Sequence, residues 1–429
     1  MSLIKRYITI SCIIFIGYLP VQGQRTSSVY SGLGVGILNG TQNSYNAGMG
    51  GLGISNANPW IMNAVNPAFL PLNNFTIFDV GLTMENRSIS MDTLRESKST
   101  GSLDYFALSV PLVAGKVGIS LGFRPYSTVN FTSRTLTTLE GTNNPVEYIF
   151  DGQGGISSAY LSGGVKVWKY LYAGFKTTLL FGSKTENTFV NVLPAAGNAT
   201  VILNSSHYRS TRFSDFAFSG SLGFQKNIGK DLILGAGVVY DMEADVNTLR
   251  TERLESRRNL DSFVSADTLR EEDQARTLLP GKLGTGISIS KMFKWTFGVD
   301  FYYQDWANYR NFENLSEGLG ENYKIIVGGE YIPDYSSVNN YFKRMTYMFG
   351  IDYEQLPIVY NGVAIADVGI TFGMSLPVGG ASSMNLSGKF GSTAFNDASL
   401  IQENYFRLTL GISFNDRSFG WYRNQRKFN

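Results

Sequence analysis

From residue 75 onward, apolar and polar side chains alternate in segments of about ten residues, the length a tilted membrane strand needs. The last segment is the clearest. Phe406, Leu408, Leu410, Ile412 and Phe414 fall on one face, while Tyr405, Arg407, Thr409, Gly411 and Ser413 fall on the other. A period of two puts each set on one side of a sheet. Counted this way, the chain is predicted to hold fourteen strands: 75–91, 103–112, 117–129, 156–168, 171–184, 213–226, 231–245, 281–291, 294–305, 323–332, 343–354, 365–376, 383–391 and 404–414.

The connections alternate in length. Those at 113–116, 169–170, 227–230, 292–293, 333–342 and 377–382 are short, and most of the others are longer. Bacterial outer-membrane barrels have an even strand count, short periplasmic turns and longer outside loops. Charges also sort by face. Asp79, Glu85, Arg87, Arg124, Lys176, Asp300, Asp352, Asp367, Lys389 and Arg407 all oppose the apolar set of their strand. An Arg or Lys facing lipid costs about 2–4 kcal/mol at mid-bilayer. A soluble sandwich would sort its charges the same way, so the outward set decides. It is large and apolar on strand after strand, as in Tyr347/Phe349/Ile351 and Ile370/Phe372/Met374, while the inner face is polar. The expected fold is all-β: a transmembrane antiparallel β-barrel of about 14 strands. The longest loop, 246–280, mixes charges with spaced apolar residues and reads as a short amphipathic helix or as a solvated loop.

Composition agrees. The chain of 429 residues is rich in Gly (47) and modest in Pro (12), and its 36 basic and 34 acidic side chains give no case for a nucleic-acid partner. Mean hydropathy is near zero, an average in which a barrel hides. Residues 1–23 read as a signal peptide, with Lys5 and Arg6 before the apolar run Tyr7 to Leu19. That run is too short to span a bilayer, which takes about 20 residues. The only cysteine, Cys12, lies within it, which leaves the mature chain without disulfides. The expected layout is signal peptide 1–23, N-terminal hatch 24–74, barrel 75–414 and a basic periplasmic tail 415–429, in the outer membrane of a Gram-negative cell.

Residues 43–70, NSYNAGMGGLGISNANPWIMNAVNPAFL, are rich in Gly, Ala and Asn and follow neither a strand nor a helix period. Such a segment cannot build its own core, so it reads as a plug inside the barrel.

Enzyme chemistry finds little support. His207, the only histidine, falls in the expected loop 185–212 and reads as a solvated loop residue. With no mature Cys and one His, no metal centre or cofactor is expected. The glycine runs at 32–36 and 48–53 lack the strand-then-helix context of a dinucleotide loop. The inner face carries Tyr105, Tyr160, Tyr172, Tyr302, Met348 and Tyr405, which would line a pocket for an apolar or amphipathic ligand, pack against the plug, or both. Asp92-Thr93-Leu94 and Asp267-Thr268-Leu269, both in expected outside loops, resemble short O-glycosylation tripeptides of the Bacteroidota.

Gly48-Met49-Gly50-Gly51 followed by Asn66-Pro67-Ala68 resembles the hatch of FadL-type outer-membrane transporters. FRPYS at 123–127, GQGGISSAYLSGGVKV at 152–167 and YEQLP at 353–357 are similar to the Bacteroidota branch of that superfamily. The resemblance implies fourteen strands and a hatch gated by Asn66, Pro67 and Ala68 with Gly48, Gly50 and Gly51. It also implies uptake of hydrophobic or amphipathic small molecules, with sideways exit into membrane lipid. The alternative it implies is a non-transporting barrel of an outer-membrane secretion machine, like the shuttle barrel of the type IX system, partnered by a larger complex. Charged outside loops and the basic tail suit that alternative better.

Overall fold

In this computed structural model, residues 28–91, 94–138, 145–192, 204–229, 231–258, 263–360, 362–379, 382–397 and 400–416 are described. A closed barrel of 14 antiparallel strands surrounds the N-terminal segment. The strands are β1 (Thr76–Met91), β2 (Leu94–Val113), β3 in two parts (Val117–Pro125 and Ser127–Thr138), β4 (Pro145–Lys166), β5 (Leu171–Val192) and β6 (Asn204–Ile228). They continue with β7 in two parts (Leu232–Asp241 and Ala244–Arg257), β8 in two parts (Phe263–Leu279 and Lys282–Lys291), β9 (Trp295–Asp305) and β10 (Glu321–Tyr331). The last are β11 (Thr346–Tyr360), β12 (Val363–Gly379), β13 (Ser382–Thr393) and β14 (Gln402–Asp416). Strand β14 pairs back onto β1, from Gln402↔Ser90 to Asp416↔Thr76, and closes the ring.

Every strand expected from the alternation is present and in order. The register explains the sorted faces, since partners across an antiparallel ladder share a face. Phe349 pairs with Phe372 and Phe390 with Phe406, and all four are exposed on the outside. Their rings pack at centroid distances of 5.4 and 4.7 Å. A continuous exposed apolar surface of this kind around a barrel is a lipid-facing belt.

The long-loop side departs from expectation. Among the described residues of 246–280 there is no helix. Ala244–Arg257 and Phe263–Leu279 form a hairpin, paired from Ala244↔Leu279 to Arg257↔Phe263. Strands β4 and β5 reach 22 residues and β6 reaches 25. These extensions mix polar residues with scattered apolar ones such as Val146, Ile149 and Phe150, so the alternation that marks a membrane strand fades while the backbone ladder continues. His207 accordingly sits on β6, paired with Thr188 and Leu254, and is half-buried. Asp267-Thr268-Leu269 lies exposed on β8. Asp92 and Thr93, the signal segment and the tail from residue 417 lie outside the described residues.

Three strands break inside the wall: β3 at Tyr126, β7 at Met242–Glu243 and β8 at Pro280–Gly281. The β8 break has a local cause, because Pro280 has no N–H to give the ladder. Register survives it, with Ala244↔Leu279 on one side and Asp241↔Lys282 on the other. The β3 break changes partners. The β2–β3 ladder runs only from Val113↔Val117 to Phe106↔Phe123. Beyond it, the second part of β3 keeps β4 on one side and takes a two-residue plug strand, Ile37–Leu38, on the other. The wall therefore has a seam beside β2 residues 94–105.

Candidate functional site: the filled lumen

The N-terminal segment runs through the barrel from the long-loop end to the short-turn end. At the long-loop end, the Ser28 hydroxyl and Val29 N–H donate to Glu403 at 2.8 and 3.0 Å. Lys184 Nζ donates to Gly32 O and Gly34 O, each at 3.1 Å, and Gly34 N–H donates to Glu317 at 2.7 Å. Ile37 and Leu38 then join β3 opposite Thr128 and Ser127. Above this strand the interior is apolar. Val35 packs in one buried cluster with Ile156, Leu180, Phe213, Val246, Leu279, Ile358 and Ile365 of the wall and with Trp306, Tyr309 and Leu319 of the β9–β10 connection. That connection folds inward and pairs Arg310 with Leu278.

Residues 43–73 fill the short-turn end. They have almost no regular structure, and asparagine amides stand in for the missing ladder. Asn43 Nδ2 donates to Met62 O (2.8 Å) and its Oδ1 accepts Asn46 N–H (2.9 Å). Asn63 Nδ2 donates to Gly53 O and Asn56 O (2.8 and 2.9 Å), and its Oδ1 accepts from Val65 and Asn66 (3.0 and 2.8 Å). Asn73 Nδ2 donates to Ile61 O at 2.9 Å. An amide carries both donors and acceptors on a short stem, which suits it to satisfy irregular buried backbone.

Asn66, Pro67 and Ala68 lie at this end, all buried. Asn66 Oδ1 accepts Ala68 N–H (3.0 Å), while its Nδ2 donates to Ile54 O (2.8 Å) in the plug and Leu222 O (3.2 Å) on β6. Pro67 opens a short 3-10 helix, Pro67–Leu72, against β4 and β5. The wall answers with Gly164 and Gly174, where a methyl group would run into the backbone of Pro67 and Ala68. Gly48, Gly50 and Gly51 sit across the barrel, after the single helical turn Ser44–Ala47. Gly50 and Gly51 have φ of +73° and +102°, the left-handed geometry that reverses the chain there. Met49, between Gly48 and Gly50, presses its backbone onto Gly328 and Gly350 of β10 and β11.

The inner-face aromatics and Met348 are spread over this plug and do not meet in one pocket. The Tyr105 hydroxyl donates to Asp79 Oδ1 and accepts Ser44 N–H, both at 2.9 Å. Tyr172 packs on Phe69, and Met348 packs in the cluster of Tyr45 and Met49. Tyr302 touches Leu52 and Ile54 clusters and is half-buried. Tyr160 lines a cavity of about 100 Å³ with Arg124, Lys176, Asp241 and Lys282, beside the strand breaks. Tyr405 alone reaches the cavity between plug and β10–β14, of about 140 Å³.

That cavity has an apolar part of its lining, including Leu33, Leu38, Trp306, Leu356 and Ile358, and a charged part. Glu85 holds Arg87 at 2.9 Å and Arg407 at 2.6 Å, and Arg87 also pairs with Glu403. Lys389 lies 2.6 Å from Asp352 and 3.8 Å from Asp367, and Lys324 lies 2.9 Å from Glu354 and 3.9 Å from Asp352. The Tyr405 hydroxyl donates to Asp367 at 2.9 Å, and Arg87 lies 4.4 Å over its ring. Every cation of this ring has a carboxylate partner. The sequence placed Asp300 on the inner face but not its role: it accepts Gly53 and Ile54 N–H at 2.7 and 2.8 Å and fixes the plug's centre. The density of asparagine between 43 and 73 was the legible signal for the plug's internal bonding. Among the described residues, no group of His, Cys, Asp or Glu is arranged to hold a metal ion.

Solved structures share this architecture. A Ralstonia pickettii toluene transporter, TbuX, matches with a TM-score of 0.56 at 14% identity, covering 88% of this chain and 99% of that one. A Pseudomonas putida toluene transporter, TodX, matches at 0.54 and 15%, covering 89% and 99%. A Pseudomonas aeruginosa FadL homologue matches at 0.55 and 12%, covering 88% and 98%. Identities this low establish the fold, that of FadL-type outer-membrane barrels, and these neighbours are transporters and not enzymes. No curated protein matches the sequence. The BamG family model matches residues 3–429, so the chain, a plugged fourteen-strand barrel, belongs to the BamG family.

Proposed function

We propose that this protein is an outer-membrane barrel that acts as a closed docking component of a larger membrane assembly, and not as an open conduit for apolar cargo. One observation carries the reading: the chain's own N-terminal segment runs through the lumen, and the charges facing the cavity of about 140 Å³ beside it are mutually paired. An apolar molecule crossing it would meet Leu33, Leu38, Leu356 and Ile358 but would also have to lie against Arg87, Lys324, Lys389 and Arg407, and would offer their ion pairs nothing in exchange for lost hydration. Ion pairs that satisfy one another also leave no spare cation for the head group of an amphiphile. The lettered family name, BamG, fits a component of a set. The expected signal peptide and the apolar belt support the outer membrane of a Gram-negative cell as its place.

Uptake with sideways exit remains the second reading, favoured by the seam between β2 residues 94–105 and the second part of β3. There Asn66–Ala68 would gate the short-turn mouth, and cargo would leave through the wall.

Extraction in mild detergent separates the two. Docking expects a stoichiometric complex with partner chains and unchanged uptake of dye or labelled laurate when Asn66–Ala68 is deleted. A monomer carrying bound lipid, with uptake altered by that deletion, would sink the docking reading and establish transport.

A further inference from the structure

The short-turn end holds an open cavity of about 160 Å³ that lies below the plug and outside the charged ring. Trp60 of the plug, Phe293 of the β8–β9 turn, Ile332 and Tyr335 of the β10–β11 connection and Pro377 of β12 line it. Phe293 stacks on Tyr335 with ring centroids 4.5 Å apart, and Trp60 stands 6.1 Å from Phe293. Phe293 holds φ at +59°, a left-handed conformation that is costly for a bulky side chain. A turn of this kind is usually built with glycine or asparagine, so local folding alone gives no reason for an aromatic there. Phe293 and Tyr335 both stay substantially exposed despite their stacking.

Two lining residues carry buried polar atoms with no partner among the described residues, Arg344 Nε and Trp60 Nε1. Glu330, the carboxylate of the lining, is already taken by the Tyr45 hydroxyl and by Thr296. Lys294 and Arg344 line the cavity, and charge over the short-turn end as a whole is one-sided. Lys116, Lys169, Lys226, Lys294, Lys343 and Arg344 stand in or beside the short turns, against Asp231, Asp334 and Asp416. Asp231 is held by Lys291 at 3.1 Å, and Asp334 caps Ser336. Beyond β14 the sequence adds Arg417, Arg423, Arg426 and Lys427.

We propose that this cavity is a docking site for an acidic periplasmic polypeptide. The partner seats one aromatic side chain against Trp60 and the Phe293–Tyr335 pair, and flanking carboxylates meet Arg344 and Lys294. The proposal rests on the docking reading above and names the chemistry of its partner. An aromatic anchor in a pocket with charge around it is how a few residues come to dominate an interface. The basic rim selects an acidic partner and speeds its approach. The site's own basic tail would meet like charge there. Anionic lipid is the weaker occupant, because plug residues Asn56 to Ile61 line the cavity and set it inside the ring of strands, away from the bilayer.

The test uses the full mature chain in detergent and a blocked, dye-labelled peptide with one phenylalanine among glutamates and aspartates, read by fluorescence anisotropy. The comparison peptide has alanine in place of phenylalanine, and phosphatidylglycerol vesicles serve as competitor. Tyr335→Ala and Arg344→Gln alter connection residues, and heat-modifiable migration checks that each barrel is folded. The phenylalanine peptide is expected to bind about tenfold more tightly than the alanine peptide, and each substitution to weaken it by about tenfold. Equal binding of the two peptides, unchanged binding by the variants, no saturable binding, or full displacement by the vesicles would each overturn the proposal. A chain that binds no peptide yet still extracts in a stoichiometric complex would remove this site and leave the docking reading standing.

Discussion

At the scale of single residues, the plug is held by small polar groups that each do several jobs. Asn66 bonds Ala68 N–H, Ile54 O and Leu222 O from one side chain. Asn66→Ala leaves buried backbone groups unpaired and is expected to cost about 2 kcal/mol of local stability. Faster hydrogen exchange across residues 53–72, with strands unaffected, would report it. Gly174→Val should do more, since the new side chain collides with Ala68 backbone; displacement of the plug would appear as raised ion conductance in planar bilayers. A third position lies beyond the belt, in the long hairpins. Burial pushes the Glu252 carboxyl up, but the hydrogen bond from Arg209 (2.6 Å) and the charges of Arg209, Arg250 and Arg270 outweigh it and hold the group below its ordinary range. A carboxyl lowered by folding stabilises the folded form above its unfolded pKa, about 4.3, and that contribution is lost as pH falls through the lower folded value. The β6–β8 extensions should therefore loosen on acidification below about pH 4. Glu252→Gln should remove this dependence while making the extensions more protease-sensitive at neutral pH.

At the scale of elements, the informative contrast is between the strands and what joins them. The period-two pattern marks a strand only where one face meets lipid and the other a polar interior. Past the belt that asymmetry ends, so residues 204–212, 246–257 and 263–279 look like loops in sequence and are strands in space. The break at 280–281 has a local cause in Pro280, whereas the break at Tyr126 does not. It comes from β3 exchanging β2 for Ile37–Leu38, a pairing across 89 or more positions of chain that no local signal encodes. Removing residues 28–42 would take from Lys184, Glu317 and the second part of β3 their partners in the plug. The expected outcome is a folded barrel with several-fold higher conductance. Unchanged conductance would mean that the apolar cluster of Trp306 and its neighbours seals the long-loop end alone.

At the scale of the whole molecule, a barrel wall surrounds an interior occupied in three layers, with cavities between them. An apolar cluster fills the long-loop end, a ring of ion pairs the middle, and an asparagine-stitched plug the short-turn end. The ring makes the two functional readings separable by stability. Lys389→Met leaves Asp352, fully buried, without its nearest cation, and breaking a buried pair in this way costs about 3–5 kcal/mol. A lowered temperature for loss of the folded gel band, with no change in uptake of labelled laurate, is the outcome expected of a structural ring. Altered uptake at unchanged stability would instead make the ring part of a pathway.

The sequence by itself determined the membrane barrel, its fourteen strands, their facing and the need for a plug. Each of these follows from local periodicity or from a segment too small in its side chains to fold alone. Only the tertiary structure decided what the plug and inner face do. Whether Tyr105, Tyr160, Tyr172, Tyr302, Met348 and Tyr405 share a pocket depends on where strands far apart in the chain stand around the ring. They face the same interior yet meet different parts of the plug. Pairing of the luminal charges is likewise a matter of register, since Arg407 reaches Glu85 only because β14 closes onto β1. Alternation tells which side a residue faces; closure of the barrel tells what it finds there.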